Sequence, residues 1–228
     1  ADPRGVILIA PHLGNWELVG LYVASTSKLT GLYQPPKQRL LEEIILAARQ
    51  RSGGTYVPTN RRGVLALLKA LQAGEVVGIY VAAVKDAPVM GYGKVSVRAG
   101  KGIEGDRYFS NSGKNRSHFN GQPDWEITLI ESEVIAAFNQ RSGNNFHESD
   151  FRRNLVTRDI RLNDLMGKNF TIGGIDFYGV QLCEPCAKLQ RRLGVKILPD
   201  LVHQGGLRAQ IRGNGVISVG DQVVAKAD

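Results

Sequence analysis

Apolar positions divide the 228-residue chain into two stretches with different periods. In the first, short continuous apolar runs alternate with segments whose apolar residues recur at helical spacing. Residues 5–10 read as a buried strand, 16–24 as a helix, 29–33 as a strand, and 39–51 as an amphipathic helix ending at Gly53-Gly54. Residues 55–58 follow as a strand and 63–72 as a helix stopped by Gly74, and a further strand starts at Val76. The order βαβαβαβ predicts parallel strands covered by helices.

From about Tyr80 strand periods dominate, over 95–98, 125–130, 170–172, 175–180, 207–212, 216–219 and 222–225. Gly173-Gly174 and Asn214-Gly215 stand between such runs, as two-residue hairpin turns do. Helices are few: one over 132–140, capped by Ser132 and ending near Gly143, and one after the cysteines, ending at Gly194. The polar, turn-forming stretch 110–123 reads as a mobile loop. The fold class predicted is α+β, with an α/β segment over 1–79 and a mostly antiparallel β-barrel over 80–228.

Charge narrows the partners. The net charge is +8, with nine basic against five acidic residues in 1–79 and twenty against sixteen in 80–228. Such an excess suits phosphate-bearing cofactors or other anions. Because it is spread evenly, with no basic run and few aromatic residues beside basic ones, no nucleic-acid partner is expected. Apolar runs such as 76–84 are too short to cross a bilayer, so no stable membrane insertion is expected. Two cysteines make no disulfide framework, nothing resembles a leader peptide, and the expected compartment is a reducing cytoplasm.

The two cysteines are the chief chemical signal, in Cys183-Glu184-Pro185-Cys186. Pro185 suits a first helical position, which places the Cys186 sulfur in the first turn, where free backbone amides favour a thiolate. A thiolate there is a nucleophile or a ligand for a soft metal. The alternative is two small thiols packed under a sheet. Four further segments accompany them. Residues 102–107 form a glycine turn ending in Asp106-Arg107, and Arg152-Arg153-Asn154 offers two guanidinium forks for an anion. His203-Gln204-Gly205-Gly206-Leu207-Arg208 is a loop whose glycines would let backbone amides approach a ligand, and Gly220-Asp221 turns into the final strand. Taken singly, each reads equally well as a turn or a solvated side chain.

Taken in order, these segments resemble the MOSC domain family, the C-terminal domain of the pyridoxal-phosphate-linked molybdenum-cofactor sulfurases and their stand-alone bacterial relatives, over about 76–228. The resemblance implies a β-barrel-like fold and a molybdenum cofactor (molybdopterin). It implies Cys186 as the metal ligand and Cys183 as its neighbour or redox partner. Arg107, Arg152, Arg153, Asn154, His203, Gly205, Gly206 and Arg208 become cofactor-binding candidates, with Arg152 and Arg153 facing the pterin phosphate. The activity implied is reduction of an N-hydroxylated small molecule, fed by an electron-donor protein, or transfer of the cofactor's sulfur. A non-catalytic sulfur or cofactor carrier is the remaining option within that family.

The first half carries His12-Leu13-Gly14-Asn15-Trp16-Glu17. Five residues on a helix turn through about 140°, so His12 and Glu17 share no helical face. They meet only if His12 lies in a loop and Asn15 caps the helix, leaving Glu17 in the first turn. A carboxylate orienting a histidine base activates hydroxyls for acyl transfer; the alternative is an acidic residue near a helix start beside an incidental histidine. Over about 5–79 the sequence resembles the lysophospholipid acyltransferase superfamily, in its lipid A lauroyl-acyltransferase branch. His12 and Glu17 match its His-X4-Asp/Glu motif, and residues 33–36 and 61–74 also fit. The resemblance implies acyl transfer as the runner-up activity. On this reading that family's membrane-proximal segment and later motifs are expected to be missing. The chain is therefore expected to join an inert acyltransferase fragment to a MOSC-type domain near 77–79.

Overall fold

The computed structural model describes residues 7–9, 16–71, 73–109, 126–198 and 200–226. Chain contacts divide it into two compact units, Gly5–Gln72 and Ala73–Asp228.

In the first unit α1 (Trp16–Thr26), β1 (Thr30–Tyr33), α2 (Arg39–Gln50), β2 (Thr55–Pro58) and α3 (Arg61–Leu71) follow in order. β1 and β2 pair in parallel from Thr30↔Thr55 to Tyr33↔Pro58, which requires a crossover that α2 supplies. α3 starts two residues earlier than its apolar pattern suggests. The Asn60 side chain accepts the Gly63 N–H at 3.0 Å and so caps it. The strand expected over 5–10 lies largely outside the described residues, and Ile7, Leu8 and Ile9 carry no regular structure.

The second unit begins with β3 (Ala73–Val81), three residues before the strand start read from the sequence. The boundary expected at 79/80 falls inside this strand. Gly74, expected to stop α3, lies within β3. A Cβ there would collide with the Arg158 carbonyl oxygen, so glycine serves close strand approach, not helix termination. After β3 come β4 (Met90–Gly91), β5 (Lys94–Arg98), β6 (Gly102–Ile103), β7 (Ile127–Glu131), α4 (Ser132–Ser142) and β8 (Leu155–Arg158). β9 (Asn169–Ile172), β10 (Ile175–Leu182), α5 (Ala187–Leu193), β11 (Leu207–Ile211), β12 (Gly215–Ser218) and β13 (Gln222–Ala225) complete it.

Seven of these strands close a barrel in the order β13-β9-β10-β11-β7-β8-β3, with β3 pairing back to β13. Every neighbouring pair is antiparallel except β7–β8. Closure removes open strand edges from the ring. Its interior is apolar: Val76, Ile79, Leu129, Leu155, Phe170, Phe177, Leu207 and Val223 are buried, and the Phe170 and Phe177 rings stack 5.5 Å apart. Each such side chain contributes about 1.5–3 kcal/mol of burial. A second cluster under α4 and α5 joins Val134, Ile135, Phe138, Leu189 and Leu193 to Phe151 of a 3-10 turn, Glu148–Phe151.

Gly173-Gly174 makes the expected hairpin, with both φ values positive and Ile172 facing Ile175. Asn214-Gly215 does not. β11 belongs to the barrel, whereas β12 pairs with β5 in a separate three-stranded sheet, so the chain leaves one sheet for another there. The Asn214 side chain is used to accept the Ala99 N–H at 3.0 Å. Ser132 is the first residue of α4 and not its cap; Glu131 holds the cap position without a side-chain capping bond. Gly143 and Gly194 end α4 and α5 in the left-handed region, as read.

One buried carboxylate makes barrel stability pH-dependent. Glu126 is 4% exposed, accepts the Ile211 N–H at 2.7 Å, and is pushed by burial from an ordinary value of 4.5 up to about 7. Between these values the folded chain binds more protons than the unfolded chain. Stability is therefore fully present below about 4.5 and is lost as pH rises through about 7. Urea midpoints should fall by the equivalent of about 2–3 kcal/mol across this window, and Glu126→Gln should flatten the profile.

Candidate functional site

Five segments of the second unit are tied together by hydrogen bonds: 82–87 after β3, 102–108 around β6, 152–154 before β8, 183–192 after β10, and 203–206 before β11. They hold most of the candidate residues from the barrel half of the sequence.

β10 and β11 pair up to Leu182↔Leu207, and the Cys183 N–H then donates to the Gly206 carbonyl at 2.7 Å. Cys183 is 2% exposed and Cys186 is exposed; both are free thiols. The helix differs from its sequence reading. α5 starts at Ala187, so Cys186 is its N-cap residue, and Pro185 lies before the helix. The Cys186 carbonyl accepts the Gln190 N–H at 3.0 Å while its sulfur faces outward from an extended backbone. The seven-residue helix is held by its apolar face, Leu189 and Leu193, against Phe151.

That contact places α5 beside the arginine pair. Arg152 follows the 3-10 turn in the left-handed conformation, φ 56°. Its Nη1 donates to the Ala87 carbonyl at 2.7 Å, and its Nη2 is buried without an acceptor among the described residues. Burial first, then the like charges of Arg192 and Arg107, pull its pKa below the ordinary guanidinium value. A buried N–H without a partner is costly and calls for an acceptor such as an ordered water or an anion. Arg153 donates Nε to the Gly205 carbonyl at 2.8 Å and Nη1 to the Phe151 carbonyl at 3.2 Å. Among the described residues it has no carboxylate partner.

Asn154 is placed differently from a residue that reaches toward a ligand. It is 5% exposed, and its amide oxygen accepts the Thr128 N–H at 3.1 Å and hydroxyl at 2.9 Å. Its amide nitrogen donates to the Tyr80 carbonyl and to Asp106 Oδ2, both at 3.3 Å. Asp106 also accepts the Ala82 and Tyr108 N–H groups, so the glycine turn 102–107 is fastened to the end of β3. Arg107 lies 4.6 Å over the Tyr108 ring and donates to its hydroxyl at 3.0 Å. Arg208 donates across the strand pair to Gln181 at 2.9 Å.

His203 has φ 57°; its Nδ1 lies 2.7 Å from Glu184 Oε1, and its N–H donates to Glu184 Oε2 at 3.1 Å. That backbone bond, before the ring's, holds the Glu184 carboxyl below its usual value. Gly205 and Gly206 are buried against backbone. A Cβ would collide with the Cys183 carbonyl oxygen at Gly205 and with the Leu129 carbonyl oxygen at Gly206. They bring segments together and offer carbonyls to Arg153 and Cys183, instead of turning amides toward a ligand.

A shallow groove of about 610 Å³ beside this cluster is lined by Lys85, Asp86, Lys188, Arg191 and Arg192. None of these was read from the sequence as a site residue. Lys188, Arg191 and Arg192 share an i, i+3, i+4 face of α5, a readable signal, but Asp86 lies over a hundred residues earlier. Among the described residues no three His, Cys, Asp or Glu side chains cluster to hold a metal.

In the first unit Glu17 lies in the first turn of α1, as expected, but its carboxylate is paired with Arg49 at 2.5 and 3.2 Å. His12 lies outside the described residues. The pairing engages the carboxylate that would otherwise orient a histidine.

The closed seven-stranded barrel is consistent with a fold of the MOSC type. Residues 116–224 match the MOSC domain family, and residues 1–86 match the family described as bacterial lipid A biosynthesis acyltransferase. Among solved structures, the chain resembles the YUAD protein from Bacillus subtilis at 15% identity and a TM-score of 0.58, covering 69% of this chain and 98% of that one. It resembles YiiM from Geobacillus stearothermophilus at 20% identity and a TM-score of 0.52, covering 68% of this chain and 75% of that one. YiiM from Escherichia coli gives 17% identity and a TM-score of 0.50, with 69% and 71% covered. At these identities the likeness is one of fold. No curated protein matches the sequence. Among the described residues no helix is long and apolar enough to cross a membrane.

Proposed function

We propose that the barrel binds a molybdenum cofactor of the pterin type, with Cys186 as its one protein ligand to the metal. We further propose that it reduces an N-hydroxylated small molecule with electrons from a donor protein, or passes on the cofactor's sulfur. The observation that carries the reading is the buried, acceptorless Nη2 of Arg152 on a segment packed against the helix that Cys186 begins. The residues present fit the group: a soft exposed thiol for the metal and guanidinium forks for a phosphate. Bound there, the cofactor would supply a redox-active metal centre.

The chain's own residues hold and orient. Arg152 and Arg153 grip the phosphate, Arg152 gaining the acceptor that its Nη2 lacks. The Arg153–Gly205 bond and the Glu184–His203 pair fix the 203–206 loop against the segment that leads to Cys186. Asn154 and Asp106 fasten the arginine segment to the barrel wall.

The test is molybdenum analysis, with fluorescence of the oxidised pterin, on protein produced in cells that make the cofactor. Both should be present, and Arg152→Met should lose the pterin while its melting temperature stays within a few degrees. Protein free of both metal and pterin overturns the reading. A variant that loses stability and pterin together would assign Arg152 to the fold alone.

A further inference from the structure

The basic groove already contains an anion, and it belongs to the protein. One oxygen of Asp86, Oδ1, accepts Lys188 Nζ at 2.6 Å and Arg192 Nη2 at 3.0 Å. Those contacts hold its carboxyl below the ordinary value. Asp86 sits on an exposed turn with φ 66°, in the left-handed region that aspartate and asparagine adopt more readily than most residues. The two cations hold its side chain over the groove. The next residue, Ala87, gives its carbonyl to Arg152, so the turn bridges the groove and the arginine with the spare N–H.

We propose that Asp86 is an internal counter-ion, occupying the groove's anion position until a phosphate-bearing small molecule displaces it. The proposal rests on the cofactor reading only in placing an anion near Cys186, and its test needs no cofactor. Exchange with a monoanion such as acetate replaces one single charge by another and gains little. Exchange with a doubly or multiply charged phosphate adds attraction to Lys85, Lys188, Arg191 and Arg192, which line the groove with Asp86 as the one carboxylate among the described residues. Asp86 thereby selects polyanions over monoanions and sets their affinity.

The experiment is calorimetric titration of cofactor-free protein with inorganic pyrophosphate, and separately with acetate, at constant ionic strength. Wild type should bind pyrophosphate and show no measurable affinity for acetate. Asp86→Asn, which tolerates the same backbone conformation, should tighten pyrophosphate binding about three- to ten-fold, the size of one or two exposed ion pairs. The gain should shrink as salt is raised. Lys188→Ala with Arg192→Ala should weaken binding by at least as much. Asp86→Gly, which suits φ 66° without a side chain, must tighten binding in the same direction as Asp86→Asn. Unchanged or weaker pyrophosphate binding in Asp86→Asn would overturn the proposal, as would opposite signs for the two variants. Failure of the cofactor reading would appear instead as missing molybdenum, with these titrations unaltered.

Discussion

A Cys186→Ser protein should purify folded but without molybdenum, and with cofactor-dependent activity at background. A hydroxyl is a poor ligand for a soft metal, and among the described residues no three His, Cys, Asp or Glu side chains cluster to hold the metal instead. The cost to the fold is small, about 0.5 kcal/mol or less for an exposed substitution away from core packing. The backbone acceptor that Cys186 provides to Gln190 remains in the serine variant. Cys183→Ser should do the reverse. That side chain is 2% exposed, so a hydroxyl there costs about 1–3 kcal/mol of stability while metal content persists. Metal analysis and thermal melts on the two variants separate the roles. Loss of metal in Cys183→Ser, with retention in Cys186→Ser, would reverse the assignment.

The second large effect is expected at Gly206. Its φ of 104° lies where an L side chain is strained, and a Cβ would collide with the Leu129 carbonyl oxygen on the adjacent barrel strand. Strain of about 1–3 kcal/mol adds to a similar overpacking cost, so Gly206→Ala should lose roughly 2–6 kcal/mol. Against a total of about 5–15 kcal/mol, this leaves a protein that melts some 10–20 °C lower or accumulates insoluble. Gly220 provides the control: its φ is 94°, yet a Cβ there meets nothing within 4 Å. Gly220→Ala should show only the strain share. Equal melting temperatures for the two variants would mean that close strand packing contributes nothing.

Much of the fold was legible because its signals are local. The crossover helix between the two parallel strands, the Gly173-Gly174 hairpin and the glycine ends of α4 and α5 each depend on a few adjacent residues. β8 escaped notice. It is four residues long, follows directly on Arg152-Arg153-Asn154, and is a strand because β7 and β3 flank it, which no local period reveals. Gly74 misled for a related reason: beside a helix end a glycine reads as a stop, and only the approach of Arg158 from another strand explains it.

The candidate site divides along the same line. Residue type and spacing in the chain by themselves marked Cys186, the arginine pair and the glycine loop as chemistry-bearing, because thiol softness and guanidinium charge travel with the residue. Burial and long-range pairing set what each does. They bury Cys183 and expose Cys186, spend Asn154 inside the barrel wall, and leave Arg152 with a donor to spare. The meeting of Asp86 with Lys188 and Arg192 joins residues a hundred positions apart, and it exists only because the end of β3 and the start of α5 are brought together when the barrel closes.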